Sequence, residues 1–245
     1  MTFQQLETLM RANENARDGA LPTDTYIIAR LDGRGFSRLT GANFIKPFDK
    51  RFHRLMVDTM FHLMEHEPDI LLAYNQSDEI SLLMLPGDAP FNRKSRKLLS
   101  LFPSVASAKF SLLLGEPVCF DCRLNLQDTP EGVLRYFRWR SIDAERNAFN
   151  ACAYWLLRQL GTAPQAAAEQ LRAIDSSTQR QLLADNGIDF NQLPIWQTRG
   201  TILHRVTETR PGFNPKTGEN TTCTRRKITE ADYSETLLNN ILTSV

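Results

Sequence analysis

The 245 residues carry 29 Lys and Arg against 28 Asp and Glu, with 42% apolar and 23% charged residues. This balance excludes global disorder and an indiscriminate polycationic nucleic-acid binder, although it leaves room for RNA where positive charge is clustered. No apolar run approaches the roughly 20 residues of a bilayer span, and Met1 to Asn15 lacks a basic-then-apolar signal, so a cytoplasmic chain without membrane contact is expected.

In chain order, residues 1–20 predict a helix with a modest stripe of Phe3, Leu6 and Leu9 or Met10. Tyr26 to Leu31 reads as a buried strand, closed by Asp32-Gly33-Arg34-Gly35-Phe36. Lys46-Pro47-Phe48-Asp49 opens a helix with proline in its first turn, where a missing N–H is harmless. Phe52, Leu55, Met56, Met60 and Leu63 then recur at helical spacing to about Glu67. Asp69 to Tyr74 and Ile80 to Leu85 predict a hairpin across Asn75-Gln76-Ser77-Asp78-Glu79. A helix over Phe91 to Leu114 would carry Arg93, Lys94, Arg96 and Lys97 on its first turns. Val118 to Leu126 supplies a fourth strand. Cys119 and Cys122, spaced as half a zinc site within this strand pattern, read as structural thiols, and four cysteines are too few for a disulfide framework.

The order strand, helix, strand, strand, helix, strand is the split βαβ, ferredoxin-like order, an α+β class with an antiparallel sheet and both helices on one face. Thr129-Pro130-Glu131 starts a helix that runs to about Leu160, interrupted near Asp143 and bearing Arg135, Arg138, Arg140 and Arg146. Thr162 to Ala173 and Ser177 to Asp185 are two further helices. Thr201 to Val206 is a short strand, and a long loop or hairpin with Arg225, Arg226 and Lys227 precedes a last short helix. The expected organisation is a core over 1–127 with a mainly helical extension over 128–245 packed on it.

With this order Asp32 ends strand one and Asp78 lies in the turn between strands two and three. Strands one and three are neighbours in the split βαβ sheet, so the two carboxylates converge at one edge. Converging acids repel unless a cation or proton sits between them. Magnesium takes a few carboxylates together with phosphate oxygens and water, and a pair of such ions serves in-line phosphoryl transfer. The pattern points to nucleotidyl transfer, with two unrelated turn acids as the alternative. Lys46, Ser77, Arg93 and Lys97 are available for phosphate, although each taken singly also suits a surface position.

Arg30-Leu31-Asp32-Gly33-Arg34-Gly35-Phe36, Lys46-Pro47-Phe48-Asp49, Gln76-Ser77-Asp78-Glu79, Phe120-Asp121-Cys122-Arg123 and Tyr136-Phe137-Arg138-Trp139-Arg140 together resemble the tRNA-His guanylyltransferase family and its relatives, the 3'-to-5' polymerases. Arg199-Gly200-Thr201 is similar to a later signature of that family. The resemblance implies a polymerase-type palm, two magnesium ions, ATP and GTP or other NTPs as substrates, tRNA as partner and a homotetramer. It implies Asp32, Asp78 and the Gly33 carbonyl as metal ligands, with Glu79 supporting them among the catalytic acids. It assigns Asp32 to Ser37 (Gly33, Arg34, Gly35, Phe36), Ser77 and Asp78 to the nucleotide, and Lys46, Arg93, Lys97 and Asn150 to its triphosphate. Glu145-Arg146-Asn147-Ala148-Phe149-Asn150 departs from the His-Ile-Asn-Asn-Leu-Tyr-Asn stretch of the eukaryotic branch. That departure implies template-dependent repair of 5'-truncated tRNAs rather than strict selection of tRNA-His. A palm-type nucleotidyl cyclase and a non-catalytic RNA-binding module are the alternatives.

Overall fold

The computed structural model describes residues 1–16, 18–87, 89–216 and 218–244. Strand β1 (Tyr26–Gly33) alternates its side chains between two cores, because successive residues of a strand point to opposite faces. Ile27, Ala29 and Leu31 enter one core with helices α3 (Lys50–His66) and α4 (Ser95–Leu114). Ile28 enters the other, with Val133, Tyr136 and Phe137 of α5 (Pro130–Gln159) and Leu238, Ile241 and Leu242 of α9 (Glu235–Thr243). Both faces of the sheet are therefore covered, the first by the two helices that the sequence places there.

The remaining strands are β2 (Ile70–Gln76), β3 (Glu79–Met84), β4 (Phe120–Gln127), β5 (Thr201–Asn214) and β6 (Glu219–Asp232). Their spatial order is β4-β1-β3-β2-β5-β6 with every pairing antiparallel, and the first four strands reproduce the split βαβ order. The expected short strand from Thr201 is corrected to half of a long ribbon. Only Thr201 to His204 pair with β2, while all of β5 pairs with β6. Pro211 and Gly212, which suggest a loop in the sequence, lie where β5 has a single neighbour. Proline is tolerated at such an edge.

Helix α1 (Phe3–Asn15) is capped by a reciprocal Thr2–Gln5 box and buries none of its residues. Helix α2 (Phe36–Asn43) follows β1 directly. The proline of Lys46-Pro47 stands ahead of α3 rather than in its first turn, because the Asp49 carboxylate takes the N-cap by accepting the Arg51 N–H. Helix α4 is corrected at both levels: a turn over Pro90–Arg93 precedes it, and its 20 residues do meet the length and apolarity of a bilayer span. Leu98, Phe102, Ala106 and Phe110 of this helix pack into the first core. Helix α5 runs unbroken through Asp143, which pairs on the helix surface with Arg140 and Arg146 at 3.3 and 2.6 Å. Helices α6 (Pro164–Arg172), α7 (Ser176–Asp185) and α8 (Ile195–Thr198) complete the second half.

Candidate active site

The β1–β3 register sets Asp32 opposite Glu79, and the turn joining β2 to β3 consists of Ser77 and Asp78 alone. Asp78 is thereby brought beside the end of β1, where the Gly33 N–H donates to its carbonyl oxygen at 3.2 Å. Burial raises the Asp78 carboxyl above its ordinary range, and the neighbouring Asp32 charge pushes the same way. Against these act its own backbone N–H, the Ser77 hydroxyl, which donates to Oδ1 at 3.0 Å, and the positive charge of Lys46.

The acids line a cleft of about 400 Å³ together with Lys46, Ser77, Asn147 and Trp196. Burial lowers the Lys46 ammonium from its ordinary value while Asp78 opposes the shift, and Nζ donates to Thr40 Oγ1 at 2.5 Å. Gly35, at φ 77°, is the N-cap of α2 and offers no side-chain cap. The first-turn N–H groups of α2 thus stand without a capping side chain immediately after the strand that carries Asp32, an arrangement suited to an anion.

Gly33 is required by close approach. A Cβ there would lie 2.5 Å from the Phe36 ring, which is 2% exposed and wedged against Phe52, Phe110 and Phe120. Gly33→Ala is expected to cost about 1–3 kcal/mol of stability, as an overpacked core does, and to shift Asp78 with it. Urea unfolding with unchanged stability would count against this packing.

Not every residue assigned from the sequence lines this cleft. The Phe36 side chain belongs to the core, so only its backbone can face a ligand. Arg93 is 2% exposed, and its guanidinium donates to the carbonyls of Leu85, Gly87 and Thr25. These groups sit at the far end of β1 and β3, about 20 Å from Asp32 at 3.3 Å per residue. Lys97 lies in the first turn of α4 at that same end, since Ser95 N–H bonds to Gly19 O and Leu21 N–H to Arg93 O. Within the chain, neither cation lines the acid cleft. Asn150 is exposed on α5 and accepts from Gln179 Nε2 at 3.2 Å, whereas Asn147 and Ala151 line the cleft. Both oxygens of Glu79 are engaged by Arg140, at 2.7 and 2.8 Å, with Arg30 at 3.8 Å. Burial raises the Glu79 carboxyl while Arg140 and Arg30 oppose it, so the acid supports the site as a paired group.

Asn75, His53, Trp155 and Trp196 also line the cleft and carry no sequence signature. His53 stacks on Trp196 at 4.5 Å. One helical turn after Asp49, His53 is the one that spacing from a cap could have flagged. Among the described residues no three His, Cys, Asp or Glu side chains form a metal cage. The fit to a divalent cation rests instead on two hard carboxylates whose mutual repulsion is only partly offset, a donor set that suits magnesium sharing its shell with phosphate and water.

A split βαβ sheet with two acids converging at the end of neighbouring strands, beside a lysine-lined cleft, defines a palm-type nucleotidyltransferase. The sequence profile described as tRNAHis guanylyltransferase matches residues 7–129, and that of the Thg1 C terminal domain matches residues 131–241. The tRNA(His) guanylyltransferase of Debaryomyces hansenii is 32% identical over 203 residues, 77% of this chain and 77% of its own. A bacterial tRNA(His) guanylyltransferase-like protein solved in complex with ATP superposes with a TM-score of 0.72 at 28% identity, covering 81% of this chain and 88% of that one. A bacterial guanylyltransferase-like structure in complex with GTP gives a TM-score of 0.71 at 25% identity over 97% and 99% of the two chains. The chain belongs to the tRNA(His) guanylyltransferase family.

Proposed function

We propose that this nucleotidyltransferase extends tRNA at the 5' end in the 3'-to-5' direction, adding GTP or template-matched NTPs, and that it works with two magnesium ions. The single observation that carries the reading is the joining of the two acids: the Gly33 N–H holds the Asp78 backbone, so that Asp32 and Asp78 face one cleft. Asp32, Asp78 and the Gly33 carbonyl would hold the metal. Bound there, magnesium supplies charge neutralisation and orientation of the attacking and leaving oxygens.

A 5'-monophosphate end is first activated by ATP: a phosphate oxygen attacks the α-phosphorus of ATP, pyrophosphate leaves and the end carries AMP. The 3'-hydroxyl of the incoming NTP then attacks the 5'-phosphorus, loses its proton, and displaces AMP as the new phosphodiester forms. Lys46 and the uncapped amides of α2 are suited to the phosphates, and Ser77 fixes the Asp78 carboxylate through its hydroxyl. Nucleotide binding by this chain draws support from the ATP and GTP complexes of its structural relatives. Assembly as a homotetramer is part of the same proposal, supported by apolar side chains left in solvent such as Phe3 at 78% and Leu112 at 82% exposure.

The test is incubation of a 5'-truncated tRNA with magnesium, ATP and each NTP in turn. The expected product is longer at the 5' end by the nucleotide that pairs with the opposing base. Cyclic product from GTP alone without RNA, or equal use of all four nucleotides whatever the opposing base, would overturn the reading.

A further inference from the structure

Asn75 precedes the Gln76-Ser77-Asp78-Glu79 signature and is 2% exposed. Its Nδ2 donates to the Ser77 carbonyl at 3.0 Å and to the Glu79 carbonyl at 2.9 Å. One amide thus clamps the backbone on both sides of Asp78. The clamp matters because Ser77 adopts φ 51°, a left-handed conformation that two-residue hairpin turns usually give to Gly, Asn or Asp. A non-glycine residue held there persists only where its surroundings over-determine it.

Asn75 is itself locked in place. Its backbone pairs with Ile80 on one side and Thr201 on the other. A Cβ on Gly200, at φ 99°, would come within 2.4 Å of the Asn75 carbonyl oxygen, so only glycine admits this contact. The His53 imidazole of α3, stacked on Trp196, meets Oγ1 of Thr201, the strand partner of Asn75, at 3.5 Å. A continuous chain of contacts runs from the aromatic wall of the cleft through His53, Thr201 and Asn75 to the backbone that aims Asp78.

We propose that Asn75 is a positioning residue for the acid pair: its amide fixes the direction of the Asp78 carboxylate and so sets the affinity of the site for a divalent cation. This rests on the assignment of Asp32 and Asp78 as metal-binding acids. The competing possibility is that the amide merely satisfies two buried carbonyls, a role that would show in stability alone.

Titration of the full chain with Mn2+ alone, followed by the EPR signal of the free ion, separates the two. Outer partners of metal ligands typically alter affinity about 10- to 100-fold when removed. Asn75→Ala is expected to weaken Mn2+ binding at least tenfold and to raise the magnesium needed for half-maximal activity, with KM for RNA unchanged. Leu183→Ala, a buried change in the helical half, should lower stability while leaving Mn2+ affinity as in the wild type. Should Asn75→Ala fail to fold, Asn75→Ser leaves at most one of the two donor bonds to the turn, and a several-fold weaker affinity is expected. Wild-type Mn2+ affinity in the folded Asn75→Ala protein, or in Asn75→Ser when it stands in, overturns the proposal, provided Asp78→Ala abolishes binding. Retention of Mn2+ by Asp78→Ala would instead overturn the metal assignment beneath it.

Discussion

Asp78→Asn is expected to slow 5' nucleotide addition at least about 1,000-fold, a loss of about 4 kcal/mol at 1.4 kcal/mol per tenfold. The amide keeps the shape of the carboxylate and removes its charge, so the cleft loses half of its acid pair while the turn keeps its backbone contacts. Stability should move the other way. Burial and the adjacent Asp32 raise the Asp78 carboxyl, so its stabilising contribution is complete below the unfolded-state value and is lost as the pH rises through the folded-state value. At neutral pH the metal-free wild type therefore bears a buried, repelled charge that Asn lacks. The variant should be the more stable in EDTA at pH 7, and the difference should shrink below the ordinary carboxylate range. Urea unfolding at pH 7 and below the carboxylate range, together with an extension assay, checks these outcomes. An Asp78→Asn protein that keeps a tenth of its activity would show that the pair is not the reacting centre.

That pair was legible in the sequence because a strand reveals itself by apolar runs and a turn by the polar residues that interrupt them. The four strands around Asp32 and Asp78 needed only their order to be placed, and the close pairing of β1 with β3 then follows. The setting of Arg93 was not legible for a physical reason: the sequence shows a charge but not its burial, and this guanidinium spends its donors on backbone carbonyls at the other end of the sheet. The side-chain partner of Asn150 was equally hidden. Asn147, Ala148, Ala151 and Trp155 of α5 line the cleft, and Asn150, at the margin of that stripe, turns its amide to Gln179 instead. The β5–β6 ribbon, read as a long loop or hairpin, was only half legible because its outer half is exposed and needs no apolar alternation. Asn75, His53 and Trp196 acquire their roles only through contacts among β2, α3 and the α8–β5 junction, which no local spacing encodes.

The second large effect lies just behind the acids. Arg140→Met is expected to destabilise the protein by about 3–5 kcal/mol, the usual cost of leaving one member of a buried ion pair without its partner. The side chains of Arg140 and Glu79 are 12% and 11% exposed, and the guanidinium meets the carboxylate through two charge-assisted hydrogen bonds. Arg30 cannot replace it: its nearest approach to Glu79 is 3.8 Å, and its Nε has no hydrogen-bond partner. Without Arg140 the Glu79 carboxyl, already raised by burial, should rise further, so acidification should narrow the gap between variant and wild type. Replacing both partners, Arg140→Met with Glu79→Leu, should recover much of the stability, because apolar groups leave no buried charge unpaired. A double-mutant cycle measures this coupling. The recovered double variant should still transfer nucleotide at least about tenfold more slowly, since Glu79 is the strand partner of Asp32 and its ion pair sets the electrostatic wall of the cleft. If Arg140→Met instead unfolds within about 1 kcal/mol of the wild type, the pair is solvated, and the support it gives to the acids must come from the backbone of the turn.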